Sequence, residues 1–450
     1  MARLLFTVWP FPTHLHPFLA LAREAAAQGH EVAFYTGGGA LSDVAREGFP
    51  CFPFREVDWG RVAAIVDDLI AGRQRPSQMR RLWPTFLVET VPAQVRDLEA
   101  VLAGWPADAL ICDIAMWAPI LILRERIGIP VIAFSHVAHS ILPGPEGPTQ
   151  GIALPRRRNA WQALCAGMLA RAATLITART RRKANALRRQ FGLAPLGMSV
   201  NEFTGTLPLY LVPSAPEFDN CRRDLPPAVR YVGPCLWDKH RDEAPPAWIE
   251  QIPARIAGHQ PVVVVDEGAL FTHEPRVLQM AARGLSGLPL TMILLAGEGR
   301  IAADLKLGPL APNVTLHPHA PLSDVLPLAD VLVTNGNSES VLAALQAGLP
   351  AVVLPSIWDQ AEMAWRVAET GVGLRMSPWG ATPARMRQAV LRVLEEPSFR
   401  DNAAKMGTAL AHCGGPARAA GLIDDLVCGA GSPARSRLSA GLAGLKPRAD

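Results

Sequence analysis

Between Asn313 and Met376 short apolar runs alternate with turn formers in an order that few folds accept. Asp330-Val-Leu-Val-Thr334 has the length and β-branched content of a buried parallel strand, and it stops at Asn335-Gly-Asn-Ser338. An amphipathic segment from Glu339 to Gln346 closes on Gly348-Leu-Pro350, a helix stop. A second buried run, Ala351 to Leu354, leads through Pro355 to Trp358-Asp-Gln360, where another helix opens. Strand, loop and helix repeat with polar residues gathered at the strand exits. That order predicts an open α/β sheet with its ligand outside the carboxyl ends of the strands.

The same pattern opens the chain. Leu4 to Val8 reads as a strand, Pro10 to His16 as a loop, Pro17 to Gln28 as a helix closed by Gly29, and His30 to Tyr35 as a second strand. Ala109–Ile114, Pro130–Phe134, Leu207–Val212 and Val229–Val232 continue this series. Trp59–Val95 reads as helices and loops over the sheet edge, Ser135–Gln150 as a loop bordering a cleft, and Trp161–Phe191 as a long helical stretch. A second series comprises Val262–Val265, Met292–Leu295, Val314–Leu316, Val331–Val333 and Ala351–Leu354, with helices at Met386–Leu394 and Ala417–Val427. At 450 residues the chain is too long for one ordinary core. The polar, proline-bearing stretch 237–246 is the expected linker between domains 1–236 and 247–428, and 429–450 reads as a frayed tail.

With 49% hydrophobic residues, 19% charged residues and a net charge of only +4, the chain fits a buried globular protein and not a nucleic-acid binder. The seven cysteines are scattered and never form C-x-x-C, so free thiols are expected, with no disulfide or metal site. No apolar run is long enough for a membrane span, and the N-terminus carries no signal-cleavage pattern. A cytoplasmic protein, compatible with a homodimer, is the expectation.

His14, in Pro12-Thr-His-Leu-His-Pro17, follows the first strand, and Asp113 ends the 109–114 strand on the same sheet edge. The pair suits either a general base oriented by a carboxylate or a capping histidine beside a buried aspartate. His16 is expected to pack into the helix start. A phosphate-cradling G-x-G-x-x-G is absent, and Gly37–Gly39 reads as a turn. In the second half, the N–H groups from Gly336 to Ser340, with the Ser340 hydroxyl, would meet an anion at the positive end of a helix. Asp359 and Gln360 suit vicinal sugar hydroxyls, or Asp359 is an ordinary N-cap. No D-x-D occurs, so leaving-group charge would fall to the helix terminus and not to a metal.

Taken together these segments resemble the family 1 nucleotide-sugar glycosyltransferases of the GT-B superfamily, bacterial natural-product type. Thr13-His-Leu-His-Pro17, Leu19-Ala-Leu-Ala22 and Gly29-His-Glu-Val32 are similar to the family's G-H-x-x-P…L-A…G-H-x-V. Leu211-Val-Pro-Ser214 and Val232-Gly-Pro234 resemble its interdomain lead-in. Pro321 to Asp330, Gly348-Leu-Pro350, Pro355 and Asp359-Gln360 follow its donor signature, and Gly414-Gly-Pro-Ala417 its closing helix, which crosses back to the first domain. The resemblance implies two Rossmann-like β/α/β domains facing across a cleft. It also implies an inverting, metal- and cofactor-independent transfer from a UDP- or TDP-sugar to a hydroxyl of a small, largely apolar acceptor. His14 would be the base, Asp113 its partner, and Gly268, Ala269, Pro321, Asn335, Gly336, Asn337, Ser340, Asp359 and Gln360 the donor site.

Departures cluster at that donor site. Asn335 stands for a phosphate-contacting His, Asn337 for a Gly, Ala343 for a ribose-binding Glu, and Ala269 for a Ser or Thr. Asn335 is expected to donate to phosphate still, and Glu339 to reach the ribose. Losing two or three contacts of about 1 kcal/mol each weakens donor binding by about ten- to a hundredfold. The alternative reading is a catalytically impaired homologue acting as a binding or activating partner. A sugar-nucleotide epimerase ranks behind both.

Overall fold

The computed structural model describes residues 1–70, 85–135, 142–143, 177–219, 224–241, 243–250, 252, 260–268, 274–297, 300 and 302–429. Two sheets carry the chain. The first holds β1 (Arg3–Thr7), β2 (Glu31–Thr36), β3 (Cys51–Pro53), β4 (Ala109–Asp113), β5 (Val131–Phe134), β6 (Tyr210–Val212) and β7 (Val229–Tyr231), in the order β3-β2-β1-β4-β5-β6-β7. The second holds β8 (Val262–Asp266), β9 (Thr291–Leu295), β10 (Val314–His317), β11 (Val331–Thr334), β12 (Ala351–Val353) and β13 (Gly373–Arg375), in the order β10-β9-β8-β11-β12-β13. Every strand pairing among the described residues is parallel. The strand order therefore reverses between β1 and β4 in one sheet and between β8 and β11 in the other. Such a switch point leaves a crevice at the carboxyl ends of the strands.

Alternation along the strands explains why both faces are covered. Leu5 enters one apolar cluster while Leu4 and Phe6 enter the opposite one. Val262 and Val264 face one cluster of the second sheet, and Val263 and Val265 the other. The covering helices include α1 (Pro12–Ala27), α2 (Ala40–Arg46), α3 (Trp59–Ile70), α4 (Val91–Gly104) and α5 (Trp117–Leu121) on the first sheet. α6 (Arg276–Leu285), α7 (Ser338–Gln346), α8 (Gln360–Glu369), α9 (Pro383–Glu395) and α10 (Pro397–His412) follow.

Several local expectations are corrected. α1 starts at Pro12 and not at Pro17, so His14 and His16 lie within the helix and not in a loop. Proline is tolerated at a helix's first position, where the lost N–H has no intrahelical partner. Between β4 and β5 the chain forms the helix Trp117–Leu121 and a 3-10 turn at Leu123–Glu125. α2, α6, α10, β3 and β13 are additional.

The last helix, α11 (Gly415–Cys428), belongs to the first sheet's core: Ala419, Ala420, Ile423 and Val427 pack in one cluster with Leu4, Phe6 and Phe18. In the other direction Ala215 and Phe218 join the core of the second sheet with Val262 and Met363. Beside them Asp219 and Arg366 form an ion pair of 2.9 Å with side chains 0% and 1% exposed. The chain's two passages touch at Gly233 (φ +77°), where a Cβ would lie 2.6 Å from the Leu410 carbonyl oxygen and 3.4 Å from the Gly415 nitrogen. Among the described residues no helix is long and apolar enough to cross a membrane.

Candidate active site

His14 and Asp113 converge because they leave adjacent strands. β1 pairs with β4, so the α1 start and the β4 exit share one edge. His14 Nδ1 lies 2.5 Å from Asp113 Oδ2. The carboxylate is fully buried and its other oxygen accepts the Ala115 N–H at 2.8 Å. An Asp113 held in place this way fixes the imidazole with Nδ1–H toward the acid, which makes Nε2 the basic nitrogen of the ring. Phe11 and Phe86 stand 5.4 and 6.5 Å from the His14 ring, with Trp59 5.3 Å from Phe11 and Trp9 4.6 Å from Phe86. The base therefore sits in an aromatic wall.

Across the cleft, the first turn of α7 faces the first turns of α1. Thr13, Ser338 and Glu339 line one small cavity between them. His16 does not pack into the helix start. Its Nδ1 meets both carboxylate oxygens of Glu339, at 3.0 and 3.2 Å, and its ring lies 4.8 Å from that of Trp237. Burial works against the His16 imidazolium, but Glu339, with Asp43 beyond it, outweighs burial and the Lys239 charge and raises its pKa above 6.5. Glu339 is thus engaged with the opposite domain, which corrects the expectation that it turns to a ribose.

The polar groups at the β8 and β11 exits are largely paired with one another. Asn335, 1% exposed, donates its amide to the Glu267 carbonyl and accepts the Asn337 N–H at 3.0 Å. Asn337 is the N-cap of α7 and accepts the Glu339 N–H at 2.9 Å. The Ser340 hydroxyl donates to Asp266 at 2.5 Å. Three backbone N–H groups expected to face an anion, those of Gly336, Asn337 and Glu339, and two of the expected side-chain donors are therefore already bonded locally. Gly268 (φ +70°) lies directly beneath Asn337, whose Nδ2 would stand 2.5 Å from an added Cβ. Gly336 (φ +92°) is pressed against Val353 and the Gln360 carbonyl, so it ties the β11 exit to the start of α8.

Gln360 accepts the N–H groups of Ser356 and Ile357 at 2.9 and 3.0 Å, which fixes the loop after β12. Asp359 occupies the N-cap position of α8 but makes no side-chain cap bond, and it is half-buried. Pro321 is buried before the short helix Leu322–Val325. Ala269 lies outside the described residues, as do most of 135–150, 71–84 and 161–176, and 430–450.

Three features of this edge escape sequence reasoning. Trp358, at φ +56°, packs against the first domain's aromatic cluster from the β12 exit. A non-glycine residue in that region signals a backbone held by its surroundings. Glu267, 2% exposed, accepts the Val277 N–H at 3.0 Å and pairs with Arg300 at 3.0 Å. Burial pushes its carboxyl up to about 7 in spite of those two partners. The third is the His16–Glu339 contact, whose members stand 323 positions apart. Only turn formers before an apolar run hinted at any of them.

The family described as erythromycin biosynthesis protein CIII-like, C-terminal domain, matches residues 298–426. Over 432 residues the chain is 31% identical to 4'-demethylrebeccamycin synthase of Lentzea aerocolonigenes, covering 95% of this chain and 100% of that protein. It is 26% identical to demethyllactenocin mycarosyltransferase of Streptomyces fradiae, covering 95% and 87%. The solved glycotransferase of kitacinnamycin superposes with a TM-score of 0.69 at 23% identity, covering 94% of this chain and 98% of that one.

Proposed function

We propose, for a chain that belongs to the family 1 glycosyltransferases of the bacterial natural-product type, an inverting transfer of a sugar from a UDP- or TDP-sugar to a hydroxyl of a small, largely apolar acceptor. Residues 1–236 hold the acceptor and 247–428 the nucleotide sugar, joined by 237–246. The acceptor O–H proton passes to His14 Nε2, the oxygen forms a bond to the anomeric carbon from the face opposite the diphosphate, and the carbon–oxygen bond to phosphate breaks. The electron pair leaves with the nucleoside diphosphate, and Asp113 stabilises the imidazolium as it forms. The aromatic wall around His14 suits an apolar acceptor and keeps water from the base.

The nucleotide sugar lies at the β8/β11 switch point with its diphosphate toward the first turn of α7, Pro321 and Gly336 shaping the loop walls and Asp359 facing the sugar. The dipole of α7 and the Asn337-capped turn carry the leaving charge, and no metal ion takes part. The paired state of Asn335, Asn337 and Ser340 supports weaker donor binding than a fully open loop provides. A catalytically impaired partner protein is not favoured, since a 31% identical relative matched over its whole length bears the name of a synthase.

The observation that carries the reading is the 2.5 Å contact between His14 and a fully buried Asp113 at the sheet's switch point. His14→Ala is expected to lower turnover by about 10²–10⁴-fold while UDP or TDP binding, measured by calorimetry, stays unchanged. Unchanged turnover removes His14 as the base. Added Mg²⁺ or Mn²⁺ is expected to leave wild-type turnover as it was.

A further inference from the structure

We propose that His30, Asp424 and Cys428 form a structural zinc site that pins the last helix to the first sheet, with water in the fourth position. Their ligand atoms all lie within 4.8 Å of one another. His30 ends the turn after α1, at the amino edge of the sheet, and its side chain is 1% exposed. Among the described residues neither ring nitrogen has a hydrogen-bond partner, and Nε2 stands 3.4 Å from Asp424 Oδ1 without making that bond. An imidazole buried in this state loses its hydration without replacement, which native chains rarely tolerate.

Asp424 and Cys428 are four residues apart in α11, so they project from one face of the helix toward His30. The Met1 nitrogen lies 3.9 Å from the Cys428 sulfur. Imidazole nitrogen, thiolate sulfur and carboxylate oxygen together select zinc over magnesium or calcium. Ligands around tetrahedral zinc stand about 3.5 Å apart, so the three atoms need to close by only about 1 Å. On binding, the Cys428 S–H bond breaks, the sulfur lone pair enters the zinc–sulfur bond, and the proton passes to buffer. The site lies at the opposite end of the strands from His14 and Asp113, and it does not rest on the catalytic reading.

The test uses the full chain, stripped with a chelator and titrated with Zn²⁺ against a chromophoric competitor. One equivalent is expected to bind, and the affinity is expected to fall by at least about tenfold in Cys428→Ser and in Asp424→Asn, both substitutions at solvent-accessible positions. Co²⁺ is expected to give a thiolate-to-cobalt absorption band that Cys428→Ser removes, and Zn²⁺ to raise the thermal midpoint of the wild type but not of that variant. Absence of stoichiometric binding overturns the proposal. Equal binding by the wild type and both variants overturns it as well. Glycosyl transfer is expected to persist in both variants, so this outcome is read separately from that of His14→Ala.

Discussion

Asn337 fills the volume above Gly268 at the mouth of α7 and ties down the Glu339 N–H. Asn337→Gly removes that cap at a helix cost of only a few tenths of a kcal/mol, since glycine is itself a fair N-cap. It also frees a backbone N–H beside the proposed diphosphate. Calorimetry is expected to show UDP or TDP bound about three- to tenfold more tightly, roughly one regained hydrogen bond; unchanged or weaker binding places the diphosphate elsewhere. The His14–Asp113 pair was legible in the sequence because both residues follow neighbouring strands of a parallel sheet, where exits coincide. The engagement of Asn335 was not, because its partner is a carbonyl 68 positions away whose direction depends on the Gly268 turn. Cys428 reads as a lone thiol for the same reason: His30 joins it only through the packing of the last helix.

At the scale of elements, strands of four to six residues rich in Val, Ile and Leu announced themselves, whereas both switch points depend on which strands pair and emerge only from the sheet order. β3 and β13, three residues each and holding Pro53 or Gly373, are too short to show alternation. The contact between α1 and α7 has a pH dependence of definite sign. Because His16 is held above its ordinary pKa by Glu339, with Asp43 assisting and Lys239 opposing, its pairing stabilises the folded chain fully below about pH 6.5. That stability is lost as pH rises through the raised value. The wild type is expected to exceed Glu339→Gln in urea stability by about 0.5–1 kcal/mol near pH 6, and by less near pH 8.5. An advantage that is flat or grows with pH contradicts the assignment of the proton to His16.

Across the whole molecule, two cores are joined by segments that each domain lends to the other. Asp219, from the first half of the chain, is buried against Arg366 of α8, with Glu362 farther from the guanidinium at 3.6 Å. Asp219→Asn leaves that cation without its nearest counter-charge and is expected to lower unfolding stability by about 3 kcal/mol in a denaturant titration, compared with an exposed-pair control such as Glu396→Gln. A change no larger than the control's refutes the claim that this pair holds the lead-in segment to the second core. Two-domain organisation was legible from length and from the repeated strand series. The exchange of segments was visible only as a motif resemblance at Gly414-Gly-Pro-Ala417, because apolar spacing says which face of a helix is buried but not against what.

The placement of α11 also sets an order in time. A ribosome releases β1 first, yet Ala419, Ala420, Ile423 and Val427, which complete the packing around Leu4 and Phe6, are among the last described residues to emerge. The second sheet, whose cluster draws its final members from α10, has all its parts before α11 has left the exit tunnel. The half of the enzyme made first is therefore the half finished last, and it waits, while the whole second sheet is made, with an apolar face open where its closing helix will lie.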